Sequence, residues 1–246
     1  MKKSVLLISL ILTFVNQGFS QLTNEVNKGY KYNNNFDLAL ATEGKQSLAA
    51  LSWVHFNAVT KNKKFKVGYG VRFSSQVGKN LNYETAPAIL TSKQRGPQVL
   101  FTEIFYENVD TLFVAKSQNN FLNLSINLQY TFKEKFDIGF NIDAAGFSFG
   151  KKTTGRYISS QSSQNGSTQT AAPTSLNLLL VSDNDIGALN SEFYFRYWFK
   201  PKWAIRAGAS FAFTEYKTEN KLRLDNDRWR NKSLMGMIAI TFSPFR

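Results

Sequence analysis

The sequence predicts an all-β protein: a transmembrane, up-and-down antiparallel β-barrel. Three observations lead to this fold class. Long segments alternate strictly between apolar and polar residues, short and long connections alternate along the chain, and the charges within the strands lie on one face. After the N-terminus, no segment approaches the roughly 20 consecutive apolar residues of a membrane-spanning helix. A membrane-embedded form must therefore be a closed barrel, since only helices and closed barrels satisfy every backbone group in lipid.

The alternation is clearest between Asn120 and Phe149, where two runs flank the tight turn Lys133–Lys135. A period of two is the pattern of a β-strand, and two such runs around a short turn predict a hairpin. The same pattern recurs along the chain and gives eight strands, most of them long enough for the roughly 9–11 residues of a membrane-spanning strand. The predicted strands cover residues 36–42, 47–59, 65–76, 120–132, 136–148, 186–199, 203–214 and 233–243.

The connections predict two different rims. Three are tight and rich in lysine, and the long ones lie near residues 77–119, 149–185 and 215–232. An up-and-down barrel with turns at one end and extracellular loops at the other produces this order. Apolar pieces at Val99–Tyr106 and Thr111–Ala115 predict an additional hairpin, either above the membrane or within a ten-stranded wall. The Ser- and Gln-rich segment Ser159–Thr170 is of low complexity and is predicted to be mobile.

The charges indicate which face meets lipid. All eight charges within the strands share the polar face, and four are acidic and four basic. A soluble barrel would carry dense Lys and Glu on its exterior, whereas a sparse, balanced set among amides and hydroxyls is typical of a packed lumen. The alternative is a soluble eight-stranded calyx of the lipocalin kind, with its apolar face inward. The strand charges are Asp37, Lys66, Arg72, Asp137, Asp143, Glu192, Arg196 and Arg206.

The N-terminus predicts export. Residues 1–20 combine two lysines, an apolar run and small residues before a cut at Gln21, the pattern of a signal peptide. Residues 21–35 are predicted to form an N-terminal periplasmic segment, and 36–246 a single barrel domain. The chain has no cysteine, and its formal net charge of +13 falls to +11 without Lys2 and Lys3. A basic exported protein can meet anionic lipid or lipopolysaccharide, while export argues against nucleic acid.

With these features in place, the chain resembles small outer-membrane β-barrels of Gram-negative bacteria. The stretch "FDIGFNIDAAGFSFG" (Phe136–Gly150) and the start at Gln21 are similar to exported barrels of the Bacteroidota, the OmpA-like or PorT-like class. The resemblance implies localisation in the outer membrane and insertion by the barrel assembly machinery, which reads a terminal aromatic residue. Phe242 or Phe245 would serve here, although the chain departs from that pattern by ending at Arg246.

Two features are candidates for catalysis. Gly146–Gly150 matches G-x-S-x-G, the hydrolase nucleophile elbow, but no helix is predicted after it. His55 is the only histidine. If the turn at Asn62–Lys63 is tight, we expect Trp53 and His55 to point inward opposite Gly70 and Gly68, although a one-residue slip would reverse this. We therefore predict a lumen histidine and no catalytic residues.

The remaining polar clusters give binding hypotheses. The triplets Asp183–Asp185 and Asp225–Asp227 could supply oxygen ligands to calcium but complete no calcium-binding motif, so neither a metal nor a cofactor is predicted. Basic side chains at the long-loop rim could bind lipopolysaccharide phosphates. This predicted contact set comprises Lys151, Lys152, Arg156, Arg228, Arg230 and Lys232, and the predicted lumen network comprises Arg72, Asp143, Glu192, Arg196, Arg206 and His55.

The sequence thus favours a non-enzymatic outer-membrane anchor. Its extracellular loops would recognise a surface protein partner or lipopolysaccharide, for instance as an accessory of secretion or motility. Two alternatives stay open: an enzyme acting on lipid A or phospholipid that uses His55 with Ser148 or Asp143, and a small pore. An eight-stranded barrel favours the anchor over the pore, because side chains fill an interior of that size.

Overall fold

The computed structural model describes residues 32–180 and 182–244. Eleven β-strands in these residues form one antiparallel sheet whose pairings close into a ring. The predicted signal peptide, residues 21–31 and Phe245 lie outside the described residues. The strands are β1 (Tyr32–Thr42), β2 (Gln46–Ala58), β3 (Phe65–Thr85), β4 (Thr111–Lys133), β5 (Phe136–Phe149), β6 (Thr153–Ile158), β7 (Thr168–Pro173), β8 (Leu176–Leu178), β9 (Leu189–Lys200), β10 (Trp203–Thr218) and β11 (Arg228–Phe242).

Eight long strands pair in succession around what we call the lower ring. The order is β1, β2, β3, β4, β5, β9, β10 and β11. The ring closes where β11 returns to β1, with Phe36 opposite Phe242 and Leu38 opposite Ile240. The predicted all-β, antiparallel, closed architecture is therefore confirmed. Strand β1 begins at Tyr32, so four residues assigned to the N-terminal segment belong to the wall.

Above the lower ring, the long ends of four strands continue into a second closed ring, the upper ring. Strands β3 and β4 pair as far as Glu84 and Thr111, β6 and β7 complete the wall between β4 and β10, and Trp229 of β11 returns to Thr85 of β3. Strand β8 adds to β5 beside this ring. The core of the upper ring is apolar and buried, and it consists of Leu81, Tyr83, Leu112, Val114, Tyr157, Ala171, Tyr216, Leu222 and Trp229.

The upper ring corrects two predictions. No additional hairpin forms in the first long connection, because Thr111–Ala115 is the start of β4 and residues 99–106 lie in short 3-10 turns and irregular chain. The low-complexity segment is not a free loop throughout, because its last residues belong to β7. The connection between β3 and β4 also carries a short helix, α1 (Ala88–Ser92). Among the described residues, no helix is long and apolar enough to span a membrane.

The two faces of the lower ring are divided as the alternation predicts. All eight strand charges are buried. In β4, Asn123 and Asn127 are buried, whereas Leu124 and Ile126 are exposed on the outer wall. The polar face of the Asn120–Phe149 hairpin therefore lines the interior, and its apolar face forms the exterior.

The inward face changes character where the lower ring passes into the upper ring. Lys79 and Lys116 are paired and exposed, yet Leu81 and Val114, two positions further along each strand, are paired and buried. Asn80 between them has a φ of 53°, a left-handed conformation that asparagine tolerates better than most residues. Residues two positions apart normally share a face of the strand. Because of this bend, the apolar side chains beyond it point inward instead of outward.

Candidate functional site

The lumen of the lower ring contains a chain of seven buried charges of alternating sign. Arg72 lies 3.5 Å from Asp143 and 3.8 Å from Glu192, and Glu192 lies 3.3 Å from Arg206. Asp37 then bridges Arg206 and Arg196 at 3.6 and 3.7 Å, and Arg196 lies 3.9 Å from Asp137. Burial of ions in a low-dielectric interior is tolerated only when they are paired and hydrogen-bonded, and the alternating order provides that pairing.

Neutral groups donate further hydrogen bonds to the acids at both ends of this chain. Asn123 Nδ2 and the Asn190 backbone N–H donate to Asp143 Oδ2 at 2.9 and 3.0 Å. At the other end, Trp198 Nε1 and Thr131 Oγ1 donate to Asp137, each at 2.7 Å.

Two of the arginines also stack on an aromatic ring. The guanidinium carbons of Arg206 and Arg196 lie 4.4 and 5.1 Å from the centre of the Tyr194 ring. This contact matters because Arg206 and Arg196 are directly opposite on β10 and β9, where two like charges repel. The ring of Tyr194 and the carboxylate of Asp37 compensate that repulsion.

The chain includes five of the six residues predicted for the lumen network, together with Asp37 and Asp137. The sequence places these two acids on the polar face, but it does not specify which strand charges share a level in the barrel. That information lies in the register, which sets Asp137 opposite Arg196. With every acid of the chain facing an arginine, the arrangement favours a structural role over acid–base chemistry.

The prediction for His55 is wrong, because its side chain lies on the outer wall. The register pairs His55 with Tyr69, their rings are 5.4 Å apart, and Tyr69 is exposed. The His55 Nδ1 is 2.9 Å from Asn34 Oδ1. Gly68 and Gly70 face buried Phe56 and Val54 instead. The register of strand β2 thus differs by one residue from the expected one, and such a slip places every side chain of the strand on the opposite face.

The residues considered for catalysis are not brought together. Ser148 is buried and its Oγ donates to Asn177 Oδ1 at 2.8 Å. Asp143 is held by Arg72 and Asn123 in the lumen, and His55 lies on the exterior. Residues 146–149 end strand β5, and Gly150 begins the connection to β6, so the match to the hydrolase elbow has no strand-turn-helix geometry.

The acidic triplets engage cations of the chain itself. Asp183 lies 2.5 Å from Lys232 and 3.6 Å from Arg230, while Asp225 and Asp227 pair with Lys221 and Lys217. In residues 32–180 and 182–244, no group of three acidic or histidine side chains is arranged to hold a metal ion.

The six basic residues predicted to contact lipopolysaccharide fall into two groups. Arg230 is buried against Glu215 at 3.1 Å, Arg228 pairs with Glu215 at 2.8 Å, and Lys232 pairs with Asp183. Arg228 and Arg230 thereby fasten β11 to β10, and Lys232 fastens β11 to the connection between β8 and β9. These ion pairs within the chain compete with an external phosphate. The second group is exposed and comprises Lys151 and Lys152, between β5 and β6, and Arg156 in β6.

An exposed, largely aromatic patch lies in the connection between β3 and β4, within the apolar piece Val99–Tyr106 that was predicted to form part of a hairpin. Phe101, Ile104 and Tyr106 are exposed, the first of them by 91%. The segment is fixed from several sides, since Phe105 N–H donates to Thr91 O at 2.7 Å and Arg223 Nη2 donates to Glu107 O at 2.5 Å. Exposed aromatic side chains on a backbone held in this way are typical anchors of protein interfaces.

Fold and interior together define the class of protein: a closed antiparallel β-barrel with an apolar exterior and a polar, ion-paired lumen.

No family model and no curated protein matches the chain. Solved structures similar to it include surface protein A of Neisseria, with 7% identity, a TM-score of 0.36, and coverage of 87% of this chain and 97% of that one. The attachment invasion locus protein Ail of Yersinia pestis, in complex with a heparin analogue, has 7% identity, a TM-score of 0.33, and coverage of 86% and 95%. At these TM-scores the likenesses establish neither a family nor a function.

Proposed function

We propose that this chain is a non-enzymatic outer-membrane barrel that anchors a rigid extracellular platform for recognition. The observation that carries the proposal is the inverted distribution of polarity in the lower ring. Leu124 and Ile238 are 59% and 67% exposed on the outer wall, while Arg72 and Asp143 inside are almost completely buried. Lipid is the solvent that suits such an exterior.

The dimensions of the apolar belt fit a bilayer. On β3, outward side chains run from Phe65 to Val77, which at the usual rise and strand tilt corresponds to about 30 Å, close to the apolar band of outer-membrane barrels. Aromatic side chains border the lower edge, including the contacting pairs Phe132–Phe136 and Trp203–Phe242. Exposed lysines follow in the adjoining turns, as expected of an interfacial girdle.

In this proposal, eight strands cross the membrane and the upper ring stands outside the cell. The lysine-rich turns face the periplasm, and the aromatic patch Phe101–Tyr106 lies in the extracellular region as the contact for a protein partner. The resemblance to Bacteroidota barrels and insertion through the barrel assembly machinery, with Phe242 as the terminal aromatic residue, belong to the same proposal.

Packing of the interior supports an anchor rather than a pore. Arg72, Arg196, Phe121 and Tyr194 fill the lumen with side chains that are at most 1% exposed. The separation of His55 from Ser148 and Asp143 favours a non-enzymatic role over lipid modification.

The absence of native cysteine makes single-cysteine labelling a direct test of the orientation. Thr102→Cys should react with a membrane-impermeant maleimide on intact cells. The matched variant Lys135→Cys, in a periplasmic turn, should react only after the outer membrane is permeabilised. Labelling of Lys135→Cys but not Thr102→Cys on intact cells would reverse the proposed topology, and recovery of unlabelled protein in the soluble fraction would refute the membrane location.

A photocrosslinker tests the recognition part of the proposal. Placed at Tyr106, it should capture a cell-surface partner. The same crosslinker at Lys135 serves as the matched control. Equal capture from both positions would argue against a partner bound at the aromatic patch.

A further inference from the structure

A cleft rich in lysine lies at the outer edge of the apolar belt. It has a volume of about 580 Å³ and lies among the β1–β2 turn, the upper parts of β3 and β4, and the segment between β5 and β6. Five exposed lysines line it: Lys45, Lys79, Lys116, Lys151 and Lys152. On β3, Lys79 comes two positions after Val77, the last outward apolar residue, so the cleft begins where the belt ends.

The positive charge of this cleft is poorly compensated. Lys79 and Lys116 are directly opposite on β3 and β4, an arrangement that is unfavourable for like charges, and the Lys79 N–H donates to the carbonyl oxygen of Lys45. Lys152 lies 2.5 Å from Glu219. Within the described ranges, no carboxylate lies within 4 Å of the ammonium groups of the other four lysines. An anion bound among them would relieve the repulsion.

Directly below the cleft, an apolar groove of about 660 Å³ runs along the outer wall of β1, β2, β3 and β11. Ser47 and Val77 line both the cleft and the groove. Small residues, Ala49 and Gly236, keep the groove shallowly recessed, and exposed Leu40 and Ile238 flank it. A hydrocarbon chain can therefore pass from the cleft, beside Ser47 and Val77, into a groove lined mainly by apolar residues.

We propose that the cleft and groove together bind one lipid A moiety of lipopolysaccharide. The lysines would hold a phosphate through charge-assisted hydrogen bonds, while an acyl chain occupies the groove. A phosphorylated head next to acyl chains, with the head outward, is the chemistry that matches a cationic cleft above an apolar groove at the outer edge of the belt. This inference rests on the proposed outer-membrane orientation and extends it by naming a ligand and a site.

Binding of purified full-length protein in detergent tests the proposal, with bisphosphorylated lipid A as the probe. The double variant Lys79→Gln/Lys116→Gln should bind at least about tenfold more weakly, a change equivalent to about 1.4 kcal/mol. Lys79→Arg/Lys116→Arg should retain binding. The matched control Lys133→Gln/Lys135→Gln, at the opposite rim, should bind like wild type, and each variant is first checked for heat-modifiable mobility on gels.

Two further arms identify the ligand. Dephosphorylated lipid A should bind at least about tenfold more weakly than the phosphorylated form, and Gly236→Phe, which fills the groove, should weaken binding of lipid A without altering folding. Equal loss in the opposite-rim control, indifference to the phosphates, or equally tight binding of phosphatidylglycerol would overturn the assignment. A failed orientation would instead appear in cysteine labelling, so the two failures are distinguishable.

Discussion

Glu192, like Asp37, contacts two of the lumen arginines, in this case Arg72 and Arg206. Glu192→Gln keeps the shape of the side chain but removes a negative charge that faces the two buried arginines. Removal of one partner of a buried pair typically costs about 3–5 kcal/mol, and we expect a loss of that order in the free energy of unfolding, measured by urea titration in detergent. The control Glu219→Gln alters the exposed pair with Lys152 and should cost under about 1 kcal/mol. Similar losses for both variants would contradict a structural role of the chain.

Asp185, which lies outside the segments proposed to span the membrane, gives a pH-dependent prediction. Burial raises the pKa of its carboxyl group, although the Leu180 backbone N–H and the charge of Arg230 act in the opposite direction. A raised pKa means that the fold favours the protonated form, so the contribution of this group to stability is fully present below its unfolded pKa of about 4 and is lost as pH rises through the folded pKa.

Asp185→Asn, which stays neutral, should therefore gain stability relative to wild type as pH increases from 4 to 7. Chemical unfolding at several pH values measures this difference. A difference between the two proteins that stays constant with pH, or that shrinks as pH rises, would be inconsistent with the raised pKa.

The limits of sequence reasoning at the residue scale are clearest on β2. In β4 and β5 the polar and apolar faces differ so strongly that the alternation alone gives the correct orientation. In β2, Leu48, Val54 and Phe56 point inward, while Trp53 and His55 point outward. Both faces of this strand are largely apolar, so periodicity leaves its orientation open, and only the register with Gly68 and Gly70 decides it.

At the scale of elements, strand β7 should stabilise the upper ring without being required by the lower one. Deletion of Thr168–Pro173 opens the wall between β6 and β10 and uncovers the buried Tyr157 and Trp229. We expect faster hydrogen exchange in residues 81–85 and 228–230, with unchanged protection in residues 136–142, as measured by mass spectrometry.

A shorter deletion, Gln161–Gln164, provides the matched control because it lies in the exposed turn between β6 and β7. It should leave exchange unchanged in both rings. If the β7 deletion accelerated exchange throughout the lower ring as well, the two rings would form one cooperative unit, contrary to this prediction.

The upper ring also explains why the sequence predicts the barrel but not its extension. The predicted strands stop where the outward face ceases to be apolar, after Val77 on β3 and at Asn120 on β4. Beyond Asn80 the apolar residues move to the inner face, so a single-period pattern no longer follows the strand. Strands β6 and β7 escape detection because their Thr, Gly and Gln residues carry little hydrophobic signal, while the pairing of the two strands depends on backbone hydrogen bonds.

For the whole molecule, two different layers close the interior in series. The ion-paired residues fill the lower ring, and the aromatic core of Tyr83, Tyr157, Tyr216 and Trp229 fills the upper ring. If each layer alone excludes ions, a variant that opens only one of the two layers should still not conduct ions. Wild-type protein in planar bilayers is thus expected to show no steady conductance.

The variant Arg72→Ser/Asp143→Ser removes the terminal ion pair of the lumen together, so that no unpaired charge of either residue remains. This variant and the β7 deletion should each stay silent, because the second layer still blocks the path, whereas their combination should produce steady single channels. Heat-modifiable mobility on gels establishes that each variant retains a folded barrel. Conductance of the wild type, or of either variant alone, would show that the layers do not act in series and would favour a pore over an anchor.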